Sequence, residues 1–456
     1  MNRRATRALV SWSILLLTHA FVWAQGVEPY PNAITDRLIR TETPMPPPPV
    51  NRVFQDPDFG SQMVRVTDEN TRWWHPGSFF RTPSVGTNNA WSTDSSKFYV
   101  MGQGGIDLAF GFNPSTMAIS SLPGATPGRG LRLPLRPEPT FSLTDPDVIY
   151  GTTYATPLTI SRYRFSTNTT SPLIDTTTCG TQPPLDPTNP SVRSNEDISG
   201  SANDHRVAIS EGGKVVGKHM FVVVYDQKLG CRWYNTETGQ IGGSWGASGY
   251  ASVSDRFLVS HARISGDGSY VKIRTNVDFY FWDLATLKVT PCPTHSNLHC
   301  SGYGTVGRSS YINGIGADAM NIARRPLNNL SDMMPLIWPL PSPHVWEQEQ
   351  HFSWLNGDLN NNAPVCASVY SYDGDTEITR AWDDEIVCLE TDGIASTVWR
   401  FAHHRAYMRM PYFNTQPLGN VSPDGRFFMF TSSWDGQLGT EKNGTPRSDV
   451  FIVRLN

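Results

Sequence analysis

The chain has 456 residues, a formal charge of −4, only 17% charged side chains, 38 glycines and 35 prolines. Such mild acidity excludes a broad surface for nucleic acid or an anionic membrane. A weakly charged, turn-rich composition with 14 tryptophans suits an all-β protein better than a helical one.

Arg3, Arg4 and Arg7 precede an apolar run from Ala8 to Trp23 and then Ala24. A basic head, a short apolar core and small closing residues predict a signal peptide over residues 1–24. No later stretch reaches the roughly 18 apolar residues of a transmembrane helix. The expected location is therefore secreted or periplasmic. Residues 25–51 end in "TPMPPPPV" and predict an extended, proline-rich linker, with folded sequence beginning near Arg52. Export permits disulfides, and there are six cysteines. Cys292 and Cys300 are close enough to staple one loop, Cys366 and Cys388 flank two strand-like runs, and Cys179 and Cys231 are left for each other. Fifteen connectivities are formally open.

Beyond Arg52 one pattern recurs, a Ser/Asp/Gly turn followed by a β-rich run. It appears in "AWSTDSSKFYV" (Ala90–Val100), "FSLTDPDVIYG" (Phe141–Gly151), "ARISGDGSYVKI" (Ala262–Ile273), "HFSWLNGD" (His351–Asp358) and "NVSPDGRFFMF" (Asn420–Phe430). Weaker copies fit at Ser201–Ile209 and Tyr303–Ile315. Asp and Gly supply the backbone angles of a tight hairpin. Repeats of this spacing, each worth three or four strands, predict a single β-propeller from about Arg52 to Asn456. Blade starts near 91, 142, 205, 265, 305, 353 and 422 give seven blades, with six or eight open. The best candidate for a short helix is Gly316–Leu327. The C-terminal "SDVFIVRL" stops before an outer strand, and Ser61–Asp68 reads as that missing strand. Pairing the two ends closes the ring.

"SPDGRFF", "DVFIVRL" and the "MVRVTD" strand resemble the TolB-type, WD40-like propeller repeat. That resemblance implies fold alone, because propellers host binding proteins and enzymes alike. "QEQHFSWLNGD" resembles the histidine-containing inner-strand segment of oligogalacturonate lyases, seven-bladed propellers that carry a divalent metal on histidines and a glutamine. On that resemblance His351 is a metal ligand, with Gln350 or Gln348 as the glutamine. "RAWDDEIVCLETDG" and "WRFAHHR" also resemble uncharacterised exported bacterial propellers.

Inner strands and blade-joining loops converge on one mouth of the channel, so distant residues can meet there. His261 and His351, with Gln350 as an oxygen ligand, form the candidate set for one divalent ion, manganese or calcium. The bland alternative is that each histidine hydrogen-bonds a neighbouring strand. In "VWRFAHHRAY", His404, Arg405 and Tyr407 match the base, carboxylate-binding cation and proton donor of uronate β-elimination, with Arg400 as a second cation. Strand alternation turns His403 and His404 to opposite faces, so His403 is expected to be structural. Asp383, beside Asp384 and Glu385, offers a ligand-binding carboxylate, against the alternative of a turn that positions an Arg–Asp pair. Trp354 offers a flat face for a sugar ring, against the alternative of packing between sheets. The expected protein is a monomeric exported propeller that meets an acidic polysaccharide at its channel mouth, with a lyase-like activity. Its rival is a non-catalytic binding or scaffold propeller that meets an envelope protein. Histidines converging at the mouth favour the first, and small apolar residues favour the second.

Overall fold

The recurring turn is the local unit from which the architecture is built. In the computed structural model, Ser92, Ser201, Ser265 and Ser422 each donate a hydroxyl proton to the side-chain oxygen two residues on. These bonds reach Asp94, Asn203, Asp267 and Asp424 at 2.7, 2.9, 2.6 and 2.6 Å. Each hydroxyl also accepts the backbone N–H five residues on, from Lys97, Arg206, Tyr270 and Phe427. One serine therefore satisfies turn groups that strand pairing leaves open and fixes the hairpin's register.

The structure describes residues 29–455 except 73, 84–87, 136–137, 181–197, 213–219, 276–277, 293–299, 316–321, 339–348, 355–361, 371–380, 394–395, 408–412 and 442–443. The expected signal peptide lies outside the described residues. Within them the strands form seven antiparallel blades. Blade 1 contains Phe80–Arg81, Lys97–Gly102 and Ile106–Phe112, with short outer strands Ile119–Ser120 and Leu131–Arg132. Blade 2 contains Thr140–Phe141, Val148–Gly151, Thr159–Arg164 and Thr169–Asp175. Blade 3 begins with Ile198–Gly200 and has six strands, and blade 4 contains His261–Ile264, Tyr270–Arg274, Phe279–Asp283 and Val289–Pro291. Blade 5 begins with Cys300–Val306. Blade 6 contains Glu349–Ser353, Val365–Tyr370, Glu385–Leu389 and Val398–His403. A single parallel bridge between Tyr303 and His351 joins the inner strands of blades 5 and 6. The inner strands of blades 2 and 3, 3 and 4, and 6 and 7 also touch, which sets the first strands around a common axis.

Blade 7 closes the ring as the two chain ends predict. Its order from the inside is Gly419–Val421, Phe427–Ser432, Asp449–Arg454, Gln62–Arg65 and Val53–Gln55. Met63 pairs with Val453 and Arg65 with Phe451. The expected helix at Gly316–Leu327 is corrected, because Ile322–Pro326 is a strand paired to Ser310–Ile315. Burial of Ile322 and Ala323 in that pairing overrides the local helical pattern.

Blades meet through apolar faces. Between blades 7 and 1, Trp91 packs against Phe98, Phe112 and Phe427 within one buried cluster. Losing a fully buried ring of this kind costs about 3–5 kcal/mol. Disulfides join Cys179 to Cys231 and Cys366 to Cys388. Cys292 is also disulfide-bonded; the side chain of Cys300, its expected partner, lies outside the described residues.

The segment before Arg52 is extended, but it is not a detached linker. Tyr30 is buried in the cluster of blades 6 and 7, where its ring meets Trp399 and Phe401 edge-on. Pro48 accepts a bond from Arg65, and Met45 accepts one from Trp434 Nε1 at 2.9 Å. Packing therefore begins near Tyr30 and not near Arg52, because prolines forbid a core of their own but not docking onto another. This segment, residues 30–50, is called the strap below.

Candidate functional site

Two groups of ionisable side chains stand out. The first lies on the seam where the strap crosses the outer strand of blade 6. Arg400 donates twice to Glu385, at 2.8 and 2.5 Å. Its third nitrogen reaches Asp36 Oδ1 at 2.6 Å and the Leu38 carbonyl at 2.9 Å on the strap. Arg405, 1% exposed, donates to Glu42 at 2.9 Å and lies over the Trp434 ring. His403 Nε2 donates to the Arg40 carbonyl, leaving Nδ1 against Asp58 Oδ2 at 3.2 Å. Asp58 also holds Thr43 through its N–H and its hydroxyl.

Backbone strain gathers at the same corner. Trp382, Asp384, Arg405, Trp434 and Asp435 all have left-handed φ, of 72, 56, 52, 49 and 55°. Hydrogen bonds hold them there, Asp435 N–H to the Arg405 carbonyl and His404 N–H to the Asp384 carbonyl. Burial pushes Glu42 up to about 8, helped by repulsion from Asp435, with which it shares a hydrogen bond. Burial likewise raises Glu385 to about 7 against the pull of Arg400. It lowers His403 to about 4 and His404 to about 3.

This geometry corrects several expectations. His404 is fully buried, with Nε2 donating to the Val369 carbonyl and Nδ1 accepting from the Ala406 N–H, so neither nitrogen is open to a ligand. Arg405 and Arg400 spend their charges on protein carboxylates and strap carbonyls. Asp383 is buried beside Glu385 and adds to the carboxyl crowding there. Trp354 lies in the core between blades 5 and 6, its Nε1 donating to the Ala363 carbonyl, and offers no face to a sugar. Tyr407 differs: it is half-buried, its N–H held by Ser433 Oγ. His403, expected to be structural, is buried on the seam between the Arg40 carbonyl and Asp58.

The second group lies at the mouth. Inner strands run parallel, so their first residues gather at one end of the channel. His261 opens the inner strand of blade 4, and Gln416 shortly precedes that of blade 7. In blade 4 His261 sits opposite Arg274 and Arg263 opposite Lys272. Alternation places these four on one face and Ala262, Ile264, Val271 and Ile273 on the other, in the apolar core. Lys272 Nζ donates to the Gly304 carbonyl at 2.6 Å and faces the rings of Phe279 and Tyr311. Burial, with repulsion from Arg274 and Arg263, holds its ammonium well below the ordinary range. On blade 6, His351 stacks on Tyr370, and its Nε2 lies 3.2 Å from Gln416 Oε1. Burial lowers His351 to about 3, opposed by the Gln416 bond, and Arg274 adds to the lowering. Arg274 thus acts on both blades.

Arg263, Lys272, Arg274 and Gln416 were not singled out in the sequence. The signal was present in "HARISGDGSYVKIR", where H-x-R and K-x-R flank a hairpin turn and must share a face. The carboxylates of the seam had no such signal, because Asp36, Glu42, Asp56 and Asp58 reach it only through the strap and the closing strands.

For a divalent ion the two regions differ. Among the described residues the mouth brings together His351 Nε2 and Gln416 Oε1, two donors where three or more are needed; the Gln350 side chain lies outside the described residues. Asp56, Asp58 and His403, on the seam, place three ligand atoms within 4.8 Å of one another. Two carboxylates and an imidazole suit manganese.

No family model matches the chain, and no curated protein sequence matches it. Solved structures match in shape. An oligogalacturonate lyase from Vibrio parahaemolyticus superposes with a TM-score of 0.51 at 11% identity, covering 88% of this chain and 96% of the other. An oligogalacturonate lyase in complex with manganese gives 0.53 at 13% identity, covering 93% and 98%. At such identities the likeness establishes the seven-bladed propeller and leaves the chemistry to the side chains.

Proposed function

We propose that the protein is an exported propeller that takes an acidic, uronate-containing oligosaccharide at its channel mouth and acts on it as a β-eliminating lyase. The observation that carries this reading is the basic face of blade 4, His261, Arg263, Lys272 and Arg274, in a chain whose overall charge is negative. The two guanidinium groups of that face lend a positive potential to the strand end, where Arg274 is half-exposed, while buried Lys272 is held toward its neutral form. A scaffold mouth would be lined by small apolar residues.

In this reading Arg274, half-exposed at the strand end, neutralises the uronate carboxylate and acidifies the neighbouring proton. His261 removes that proton, and the electron pair forms the carbon–carbon double bond as the glycosidic oxygen departs. Tyr407 sits beside the seam with its N–H held by Ser433 Oγ, so the leaving oxygen takes its proton from water at the open mouth. His351, held neutral by burial, is too weak a base for proton abstraction; its Nε2 proton is donated to Gln416 Oε1, so it orders the inner strands at the mouth without touching the ligand. A manganese or calcium ion has its three-donor set at the seam, where it would brace the strap, so no step of the elimination passes through it. The disulfides fit an oxidising compartment and the secreted or periplasmic location expected from the first 24 residues.

Incubation with oligogalacturonate tests the reading directly. Elimination creates an unsaturated sugar end that absorbs in the ultraviolet, and His261→Ala should abolish its formation while binding persists. Binding of oligogalacturonate without any unsaturated product would leave a lectin-like propeller. Equal affinity for a neutral oligosaccharide would remove the acidic-ligand reading altogether.

A further inference from the structure

A separate cavity of about 280 Å³ opens on the perimeter, between the closing blade and blade 1. Its walls carry opposite charges. Asp68, just past the strand Gln62–Arg65, stands on one side, and Arg129, just before Leu131–Arg132, on the other. Asp68 Oδ1 accepts from the Asn70 N–H and the Thr71 hydroxyl, both at 2.9 Å, which leaves Oδ2 unused. Arg129 gives Nη1 to the Asn70 carbonyl and keeps its Nε–Nη2 edge. Among the described residues no ion pair joins the two. Ser120 adds a hydroxyl with no protein partner among the described residues, and Phe110 and Ile119 form an apolar floor.

The cavity is held open by the fold. Asn51, at the end of the strap, donates to the Ile119 carbonyl at 3.1 Å and accepts the Ile119 N–H at 2.8 Å. This mimics a strand bridge and ties the strap to blade 1. Two opposite charges that face one space without closing on each other are satisfied by a ligand offering donors and acceptors together. An anion would meet Asp68 and a cation would meet Arg129, so a neutral ligand fits both. The volume lies just under the ~300 Å³ lower bound for drug-sized ligands, which suits one ring.

We propose that this cavity is a second carbohydrate site, taking a single neutral, hydroxyl-rich sugar ring. Asp68 accepts from one pair of hydroxyls, Arg129 donates to another, and the apolar face of the ring lies on Phe110 and Ile119. The site goes beyond the mouth and does not depend on the elimination. It gives an exported propeller a second hold on a glycan that carries neutral as well as acidic residues, and two weak holds on one chain raise overall affinity.

Saturation-transfer NMR on the full chain tests it with galactose, galacturonate and glycylglycine. Galactose should bind in the millimolar range, with galacturonate weaker at this site and glycylglycine absent. Arg129→Gln and Asp68→Asn, on opposite walls, should each weaken galactose about tenfold or more while melting curves stay unchanged. In the unmodified protein the galactose signal should persist when oligogalacturonate is added. No transfer to galactose, retention in both variants, or displacement by oligogalacturonate would each overturn the site. Preference for glycylglycine would overturn it too, by assigning the two charges to a peptide's ends.

Discussion

The seam beneath the strap and the mouth beside blade 4 both bury arginines and histidines, but they balance charge differently. At the seam Arg400 and Arg405 meet Asp36, Glu42, Asp58, Glu385 and Asp435 within 4 Å. The result is a fastening, in which the field is cancelled where it arises. At the mouth Lys272 meets a carbonyl and two aromatic rings, and the charges acting on it are Arg274 and Arg263. Lys272 is buried there, and its contacts are a carbonyl and aromatic rings where the seam arginines have carboxylates. A histidine–arginine cluster in a sheet protein points to a ligand when its neighbours are cations, and to a clasp when they are carboxylates.

The sharpest way to break this contrast is Arg400→Ala. The substitution strands Glu385 in the interior and frees Asp36, so stability should fall by about 3–5 kcal/mol in denaturant or thermal melts. Oligogalacturonate binding by the folded fraction should not change. Unaltered melting would mean that the strap is not fastened there. Arg274→Gln is the mirror experiment, with melting held and affinity for oligogalacturonate lowered about tenfold to a hundredfold, most visibly at low salt. Loss of stability without loss of affinity would assign Arg274 to the clasp class and remove it from the mouth.

Most of the architecture was legible because it is written in short-range chemistry. The Ser-x-Asp turn, the apolar runs and the complementary chain ends each act within a few residues or one strand pair. The strap escaped because its fastening to blade 6 spans more than 300 residues, as in Arg400 with Asp36. Proline composition predicts its extended backbone and says nothing about what it lies on. The same distance misled the reading of His404 and Arg405. Their local sequence suits an active site, and only the carboxylates of the strap and the closing blade reveal a clasp. The basic face of blade 4 lay within one hairpin and could have been read from its register.

Acidity distinguishes the two regions more gently. Glu42 and Glu385 are raised in the folded protein to about 8 and 7. Between the ordinary carboxyl range and those values the folded state binds more protons than the unfolded one, so stability should decline as pH rises through that window. His403 and His404 are lowered to about 4 and 3, so their contribution is lost in the other direction, as pH falls below the ordinary imidazole value. The two trends oppose each other at mildly acidic pH, and melting should peak there. Glu42→Gln should flatten the decline toward pH 8. An unchanged slope in that variant would show that Glu42 and Asp435 do not share a proton in the folded state.

Metal ions should give the smallest effect, and its location decides the question. Asp56 Oδ1 already accepts the N–H groups of Asp58 and Phe59, and Asp58 already holds Thr43, so an ion at the trio replaces existing bonds as it forms new ones. Arg405 Nη2, 3.9 Å from Asp58 Oδ2, adds a repulsive charge. Millimolar Mn²⁺ should therefore raise the melting temperature by only about 2 °C, the shift of roughly 1 kcal/mol in a chain of this size. Chelation should reverse the shift, and His403→Ala should abolish it. Affinity for oligogalacturonate should be indifferent to both treatments. If chelation instead removed binding or turnover while melting stayed constant, the ion would belong to His351 and Gln416. The mouth would then gain a cation of its own, and the lyase reading would have to be rewritten around it.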